Sequence, residues 1–291
     1  STWLRTRGSW VRILPAAPSL PSSRGTAQSQ TTGFFLTHLI LYKYFNKNRI
    51  LFTDLDGTLL GGTRQDRDRL TDWLWSQNGQ IKLVFATGRS FENIAPLIQA
   101  GELPEPDAII GDVGTSLMLA NGDPICPRIH AEIDTLWALP SQLVEQQLAG
   151  IQGLVAQHKT GPRRQSFTFT PPIDLQRACQ AIEAIGADAL VSDNQYFDVL
   201  PKGIHKGWAV RRLMDHWQVK PEQAVVAGDT LNDLAMFQVG VPAIVVGNAE
   251  PALRQAIPSN SPHIFQAQAH GAAGIWQGLS HFGWHQDPQE N

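Results

Sequence analysis

The stretch from Arg49 to Leu60, RILFTDLDGTLL, limits what this chain can become more than any other. Apolar or β-branched residues from Ile50 to Thr53 run straight into Asp54, and Leu55, Asp56, Gly57 and Thr58 follow. A short apolar run closed by glycine reads as a buried strand ending in a tight loop. Carboxylates placed there stand at the carboxyl end of the strand, where open α/β sheets bind ligands. Two like charges so near each other are unfavourable unless a cation lies between them or they share a proton. The pair is therefore expected to form a metal site, an acid–base pair, or both.

A length of 291 residues allows two domains, or one with a large insertion. A hydrophobic content of 42% with 17% charged residues is that of a globular protein with a real core. The formal net charge of −3 hides an asymmetry: residues 1–49 hold 7 of the 23 basic residues and none of the 26 acidic ones. The body is thus distinctly acidic, which argues against nucleic acid as a partner, since that needs an extended basic surface. Cys126 and Cys179 lack the spacing of a zinc or haem site and read as reduced thiols of a cytoplasmic protein.

Residues 1–33 are rich in Ser, Pro, Gly, Arg and Gln, and 1–48 as a whole are expected to be a disordered or non-native extension. Within it Phe34 to Phe45 is apolar but too short to span a bilayer, so an N-terminal helix or packing arm is expected and no membrane partner. Beyond the first strand, Arg64 to Gln77 carries a helical pattern, in which Trp73 and Trp75 read as packing residues. Ile81 to Ala86 reads as a strand, Phe91 to Gln99 as a helix, and Asp107 to Ile110 as a strand, with DVGT (Asp112 to Thr115) marking another strand end. Between about Ile129 and Leu200 the character changes. Glu132 to Ile151 reads as a helix, Arg164 to Thr170 as a half-buried strand, Leu175 to Ile185 as a helix, and Ala189 to Leu200 as a hairpin. The core resumes with a helix from Trp208 to Trp217 and strands at Ala224 to Ala227 and Ala243 to Val246. The whole predicts an α/β fold: a doubly wound parallel sheet with an inserted, smaller α+β domain.

Four strand-end loops would then bring Asp54 and Asp56, Thr87, Lys206, and Asp229 with Asp233 to one edge. Carboxylates gathered in this way need a hard divalent cation, and oxygen ligands favour Mg²⁺. A lysine beside them holds a phosphate or a nucleophilic carboxylate by charge, and an aspartate can attack phosphorus to form an aspartyl-phosphate. Thr87 and Gly88, at a strand end opening a helix, suit an anion. Lys202 competes with Lys206 for the lysine role. His205 reads as an exposed loop residue, and His270 and His281 as packing residues of the last helix.

With these motifs in order, the chain resembles the haloacid dehalogenase superfamily of phosphatases: DLDGT, the threonine of ATGRS, Lys206 and GDTLND (Gly228 to Asp233) match its four motifs. Within it the chain looks most like the sucrose-phosphate phosphatase group, including phosphatases of mannosylfructose phosphate. PDAIIGDVGT, FDVLPKGIHKG, VVGNAEP and the C-terminal HGAAGIWQGLSHFGW carry that likeness. The resemblance implies a catalytic core over 49–128 and 202–287 and a C2-type cap over 129–201. It implies Asp54 as nucleophile, Asp56 as acid and then base, and Thr87 and Lys206 on the phosphoryl group. The expected metal ligands are Asp54, Asp56, Asp229 and Asp233, holding Mg²⁺. Gly88, Arg89, Ser90, Asn232 and, in the cap, Arg164 and Ser166 are expected to face the substrate. The group carries Lys in a Lys-x-Ser-aromatic run where this chain has Arg164, after a basic loop from His158 to Arg163. That suggests a substrate with extra negative charge, such as a glycosyl-phosphoglycerate, and weakens sucrose 6-phosphate, the first guess. The partner implied is a small sugar phosphate, together with the glycosyltransferase that makes it. A phosphosugar mutase would need its insertion just after Asp56, and a non-catalytic binding module would have lost one of the acids. Neither pattern is present.

Overall fold

The computed structural model describes residues 3–6, 9–12 and 49–285, apart from 138, 158–160, 193 and 259. The chain divides into two compact units, Ser1–Asn46 and Lys47–Asn291. In the first, strands β1 (Trp3–Thr6) and β2 (Ser9–Arg12) pair antiparallel. This hairpin, built from the strand formers around Trp3 and Trp10, departs from the structureless 1–33 that composition suggested. The helix or packing arm expected at Phe34 to Phe45 lies outside the described residues.

The second unit is built on a seven-stranded sheet centred on β3 (Arg49–Thr53). On one side of it lie β4 (Ile81–Ala86), β5 (Ala108–Gly111) and the edge strand β6 (Ser116–Met118). On the other lie β11 (Ala224–Gly228), β12 (Ala243–Val245) and β13 (Ile264–Gln266). All neighbours run parallel except β6, which returns antiparallel to β5. The strands read as near-continuous apolar runs because both faces are covered. Ile50 and Phe52 pack to one face with α3 (Pro127–Leu136), α6 (Lys206–Trp217), α7 (Leu234–Phe237) and α8 (Pro251–Ala256). Leu51 packs to the other with α1 (Arg64–Ser76), α2 (Phe91–Gln99) and α9 (Gly271–His281). Among the described residues no helix is long and apolar enough to cross a membrane.

Between α3 and α6 the chain builds a second sheet, in the order β7 (Leu154–Ala156), β8 (Gln165–Phe169), β10 (Tyr196–Pro201), β9 (Ala187–Ser192). It is antiparallel throughout. Helices α4 (Ser141–Leu148) and α5 (Leu175–Ala184) bury Val144, Leu148, Ala178 and Ile182 against Phe167, Phe169, Phe197 and Val199. This inserted α+β unit therefore has its own core. The single helix expected over 132–151 is in fact two, α3 and α4, broken ahead of Pro140, whose ring cannot continue a helix. By packing, α3 belongs to the parallel-sheet core, since Ile129 and Ile133 are buried there.

Two local readings change and two hold. Trp73 packs edge-on against Trp276, whereas Trp75 is 62% exposed on the solvent side of α1. His205 is not an exposed loop residue: half-buried, it caps α6, its Nδ1 accepting the Trp208 N–H at 3.1 Å. His281 stacks on Phe265 at 4.3 Å, a packing role as expected.

Helix α6 carries Lys206 at its first turn and meets α7 backbone to backbone at Gly207, where a Cβ would lie 2.1 Å from the Ala235 carbonyl oxygen. Gly207→Ala is expected to cost ~1–3 kcal/mol through overpacking. Thermal unfolding should show a midpoint several degrees lower, and an unchanged midpoint would show that the two helices have slack.

Candidate active site

The carboxyl ends of β3 and β11 lie side by side, so Asp54 and Asp229 emerge next to each other. Lys206 enters from α6, wholly buried, and its Nζ donates to Asp54 Oδ1 at 2.7 Å and to Asp233 Oδ1 at 2.6 Å. Asp233 is held on its other oxygen as well, which accepts the backbone N–H groups of Asp229 and Thr230. Asp229 takes the Thr58 hydroxyl at 2.7 Å. Close approach there requires glycine at 57, where φ is +79° and a Cβ would stand 2.0 Å from Asp229 Oδ2.

Asp54, Asp229 and Asp233 present oxygens within 4.8 Å of one another, all three residues buried. Three carboxylates against one ammonium leave two negative charges, which fits a divalent cation held by hard oxygen donors. Charge and burial show in the titration of the groups. Burial pushes Asp54 well above the ordinary carboxylate range, Lys206 opposing and Asp233 and Asp229 adding to the shift. Burial, with Asp233, lifts Asp229 up to about 7 against the pull of Thr58 and Lys206. For Lys206 burial works against the charge, but Asp233 and Asp54 outweigh it and raise the ammonium above its usual value.

Asp56 does not join this cluster. Its side chain, 57% exposed, turns away and accepts a two-pronged contact from Arg89, with Nε at 2.7 Å and Nη2 at 2.6 Å. The turn from Leu55 to Leu59 aims it outward, since Asp56 is extended (φ −74°, ψ 121°) while its neighbours curl. The expected carboxylate ligand at 56 is thus replaced by an ion pair at the mouth of the site. Thr87 is buried at the end of β4, its hydroxyl accepting the Arg89 N–H at 3.1 Å. Ser90 is buried at the N-terminus of α2, and Asn232 lies in the Asp229–Asp233 loop with its side-chain oxygen buried and unpartnered. Lys202 is elsewhere, on the surface against Asp188 at 2.6 Å. His270 stands at the N-terminus of α9.

From the inserted unit Arg164 reaches the core. Its Nη1 donates to the Gly88 carbonyl at 2.8 Å, and the guanidinium pairs with Asp112 at 3.2 Å and Asp198 at 3.6 Å. Ser166 donates to Asp198. Gly88 thus offers its carbonyl to Arg164. Five contributors escaped the sequence reading: Thr58, Asp112, Asp198, Asn248 and Glu250. Asn248 bridges the Gly57 carbonyl and the Gly271 N–H, each at 2.8 Å, and Glu250 accepts the Leu231 N–H. All five sit inside motif phrases, and their partners are remote in sequence.

A buried lysine–aspartate cluster at the carboxyl edge of such a sheet, with an inserted α+β unit, is the arrangement of the haloacid dehalogenase superfamily. Residues 47–283 match the sucrose-6F-phosphate phosphohydrolase family, and the chain belongs to it. It is 37% identical over 240 residues to a glucosylglycerol-phosphate synthase of Pseudomonas anguilliseptica, a match that covers 81% of this chain and 31% of that protein. It is 30% identical to the mannosylfructose-phosphate phosphatase of Agrobacterium fabrum, over 81% of this chain and 97% of that one. Among solved structures, the sucrose-phosphatase of Synechocystis in complex with sucrose and phosphate superposes with a TM-score of 0.74 at 25% identity, covering 81% of this chain and 98% of that one.

A carboxyl whose folded value lies near 7 binds a proton in the native state that the unfolded chain, with an ordinary value of 3.8, has released. Stability from this group therefore falls as pH rises from about 4 to about 7. Without divalent cation, wild type should lose melting temperature across that window and Asp229→Asn should lose less. Adding Mg²⁺ should raise the wild-type midpoint more at pH 8 than at pH 6. Identical profiles for the two proteins would contradict the assignment.

Proposed function

We propose that this chain is a magnesium-dependent phosphatase of a glycoside phosphate, with glucosylglycerol phosphate the leading substrate. The observation that carries the chemistry is the Lys206 ammonium held between Asp54 and Asp233, with Asp229 alongside. Asp54 attacks phosphorus, the bond from phosphorus to the sugar oxygen breaks, and Asp56 gives that oxygen a proton. Water then attacks the aspartyl-phosphate, Asp56 takes a proton from that water, and the bond from phosphorus to Asp54 breaks. Donating a proton requires Asp56 to leave the Arg89 fork, so Arg89 turns from Asp56 to the substrate in the working cycle. Lys206 fixes the attacking carboxylate, while Thr87, Ser90 and Asn232 are placed to hold phosphoryl oxygens. Asp54, Asp229 and Asp233 would hold Mg²⁺, which offsets repulsion between carboxylate and phosphate when bound. The inserted unit, within 129–201, serves as the cap that covers the substrate.

The choice of glycoside rests on the Pseudomonas relative. The match spans under a third of that synthase, and a phosphatase fold inside a chain named for making a phosphorylated glycoside points to removal of that phosphate. Sucrose 6-phosphate stands behind it, since the plant sucrose-phosphatases are about 27% identical and the Synechocystis one 25%. The glycosyltransferase that makes the ester is the natural partner, and the cytoplasm the natural compartment.

Phosphate release from glucosylglycerol phosphate, sucrose 6-phosphate and mannosylfructose phosphate, with Mg²⁺ and with chelator, tests the reading. Glucosylglycerol phosphate should be turned over fastest. Chelator and Asp54→Asn should each abolish release, and Asp56→Asn should slow it about 10²–10⁴-fold. If no ester is hydrolysed, the phosphatase reading is wrong. If mannosylfructose phosphate or sucrose 6-phosphate leads, the choice of glycoside is wrong and the chemistry stands.

A further inference from the structure

The geometry points to Asp112 and Asp198 as specificity-determining residues that, by enclosing Arg164, restrict this site to substrates whose leaving group is uncharged. This deepens the phosphatase reading and rests on it for which end of the substrate lies here.

A basic run, Arg163–Arg164, enters the site from the inserted unit and by sequence alone suggests a pocket for a second anion. The structure disposes of both charges. Arg163 forks onto Asp134 on the outer surface, with Nε at 2.5 Å and Nη2 at 2.9 Å. Arg164 is 8% exposed and lies between Asp112 and Asp198, whose side chains are 4% and 7% exposed. Each carboxylate is also tied by a second donor: Gly161 N–H reaches Asp112 at 3.1 Å, and the Ser166 hydroxyl binds Asp198. One cation among two acids leaves the cluster negative or, with one acid protonated, neutral. It offers no unbalanced positive charge.

This cluster faces the leaving-group side. Asp56 meets the departing oxygen, Arg89 holds Asp56, and Gly88, next to Arg89, accepts the Arg164 hydrogen bond. A carboxylate or second phosphate on the leaving group would approach Asp112 and Asp198 with Arg164 already paired. Hydroxyl groups meet no such repulsion and find acceptors there.

Two esters separate the possibilities: glucosylglycerol 3-phosphate and glucosyl-3-phosphoglycerate, which differ by a hydroxymethyl against a carboxylate. The ratio of kcat/KM for the neutral over the charged ester should be about 100 in wild type, the order expected for one like-charge contact in a partly buried site. Asp198→Asn and Asp112→Asn should each cut that ratio about tenfold, chiefly through KM of the charged ester, and Arg164→Gln should widen it. The Kd ratio for the same two esters, measured by calorimetry on Asp54→Asn protein with Mg²⁺, should follow the same pattern. A wild-type ratio near one, or ratios unmoved by both aspartate variants, overturns the proposal even if phosphate is released from both esters. If nothing is hydrolysed but the Kd ratio holds, the charge filter stands and the phosphatase reading falls. Should the aspartate variants not fold, the wild-type ratio and Arg164→Gln still decide.

Discussion

Everything at the site hangs on a buried ammonium. Lys206 is fully enclosed, and a lone charge there would be far too costly without partners. Its two carboxylates come from the ends of β3 and from the loop after β11, and the lysine itself from the first turn of α6. Three elements far apart in the chain are thereby fixed to one point, and Asp233 extends the hold to the backbone of its own loop. Taking away the ammonium would leave buried acids to repel one another. Taking away either acid would leave the buried ammonium a single carboxylate partner. The cluster is therefore poised rather than stabilising, and a divalent cation or retained protons must complete its charge.

Much of this was legible in the sequence, and the reason is local. β3, β4, β11 and β12 are apolar runs closed by glycine or an acid, a pattern that needs no tertiary information. Asp54, Thr87, Lys206, Asp229 and Asp233 each follow such a run or open a helix, so a parallel sheet had to gather them. What failed depended on side-chain direction and on remote partners. Asp56 is two residues from Asp54, yet one extended residue in the turn after β3 sends it to Arg89 instead of the acid cluster. The pairing of Arg164 was missed because Asp112 and Asp198, at distances of 52 and 34 positions from it, are invisible to a local reading, while 158–160 of the basic loop lie outside the described residues. Pro140, by contrast, was a local signal for the break between α3 and α4 that the helical period concealed.

The junction between the sheet and the inserted unit carries backbone strain. Asp112, Val113 and Gly114 all have positive φ (+50°, +59° and +105°), and for a β-branched residue such as Val113 that is costly. The turn persists because it is held from several directions. Asp112 N–H donates to the Arg89 carbonyl and Val113 N–H to the Thr87 carbonyl, at 3.0 and 3.1 Å. The inserted unit supplies the remaining hold through Gly161 and Arg164 on the Asp112 carboxylate.

It follows that the loop bearing Thr87, Gly88 and Arg89 is shaped from both sides. From below, β4 delivers it to the sheet edge. From above, the inserted unit grips Asp112, whose backbone in turn grips Arg89. Burial raises the Asp112 carboxyl above its usual range while Arg164 and the Gly161 N–H pull it back, so its charge is sustained by contacts that come from the inserted unit. Were that unit to lift, Asp112 would lose two donors at once, and the strained turn would lose its main external restraint. Arg89 would then be free to leave Asp56 by a backbone shift as well as by side-chain rotation. The hold of the inserted unit on Asp112 and the shape of the loop bearing Arg89 are in this way one linked set of contacts, transmitted through three residues with positive φ.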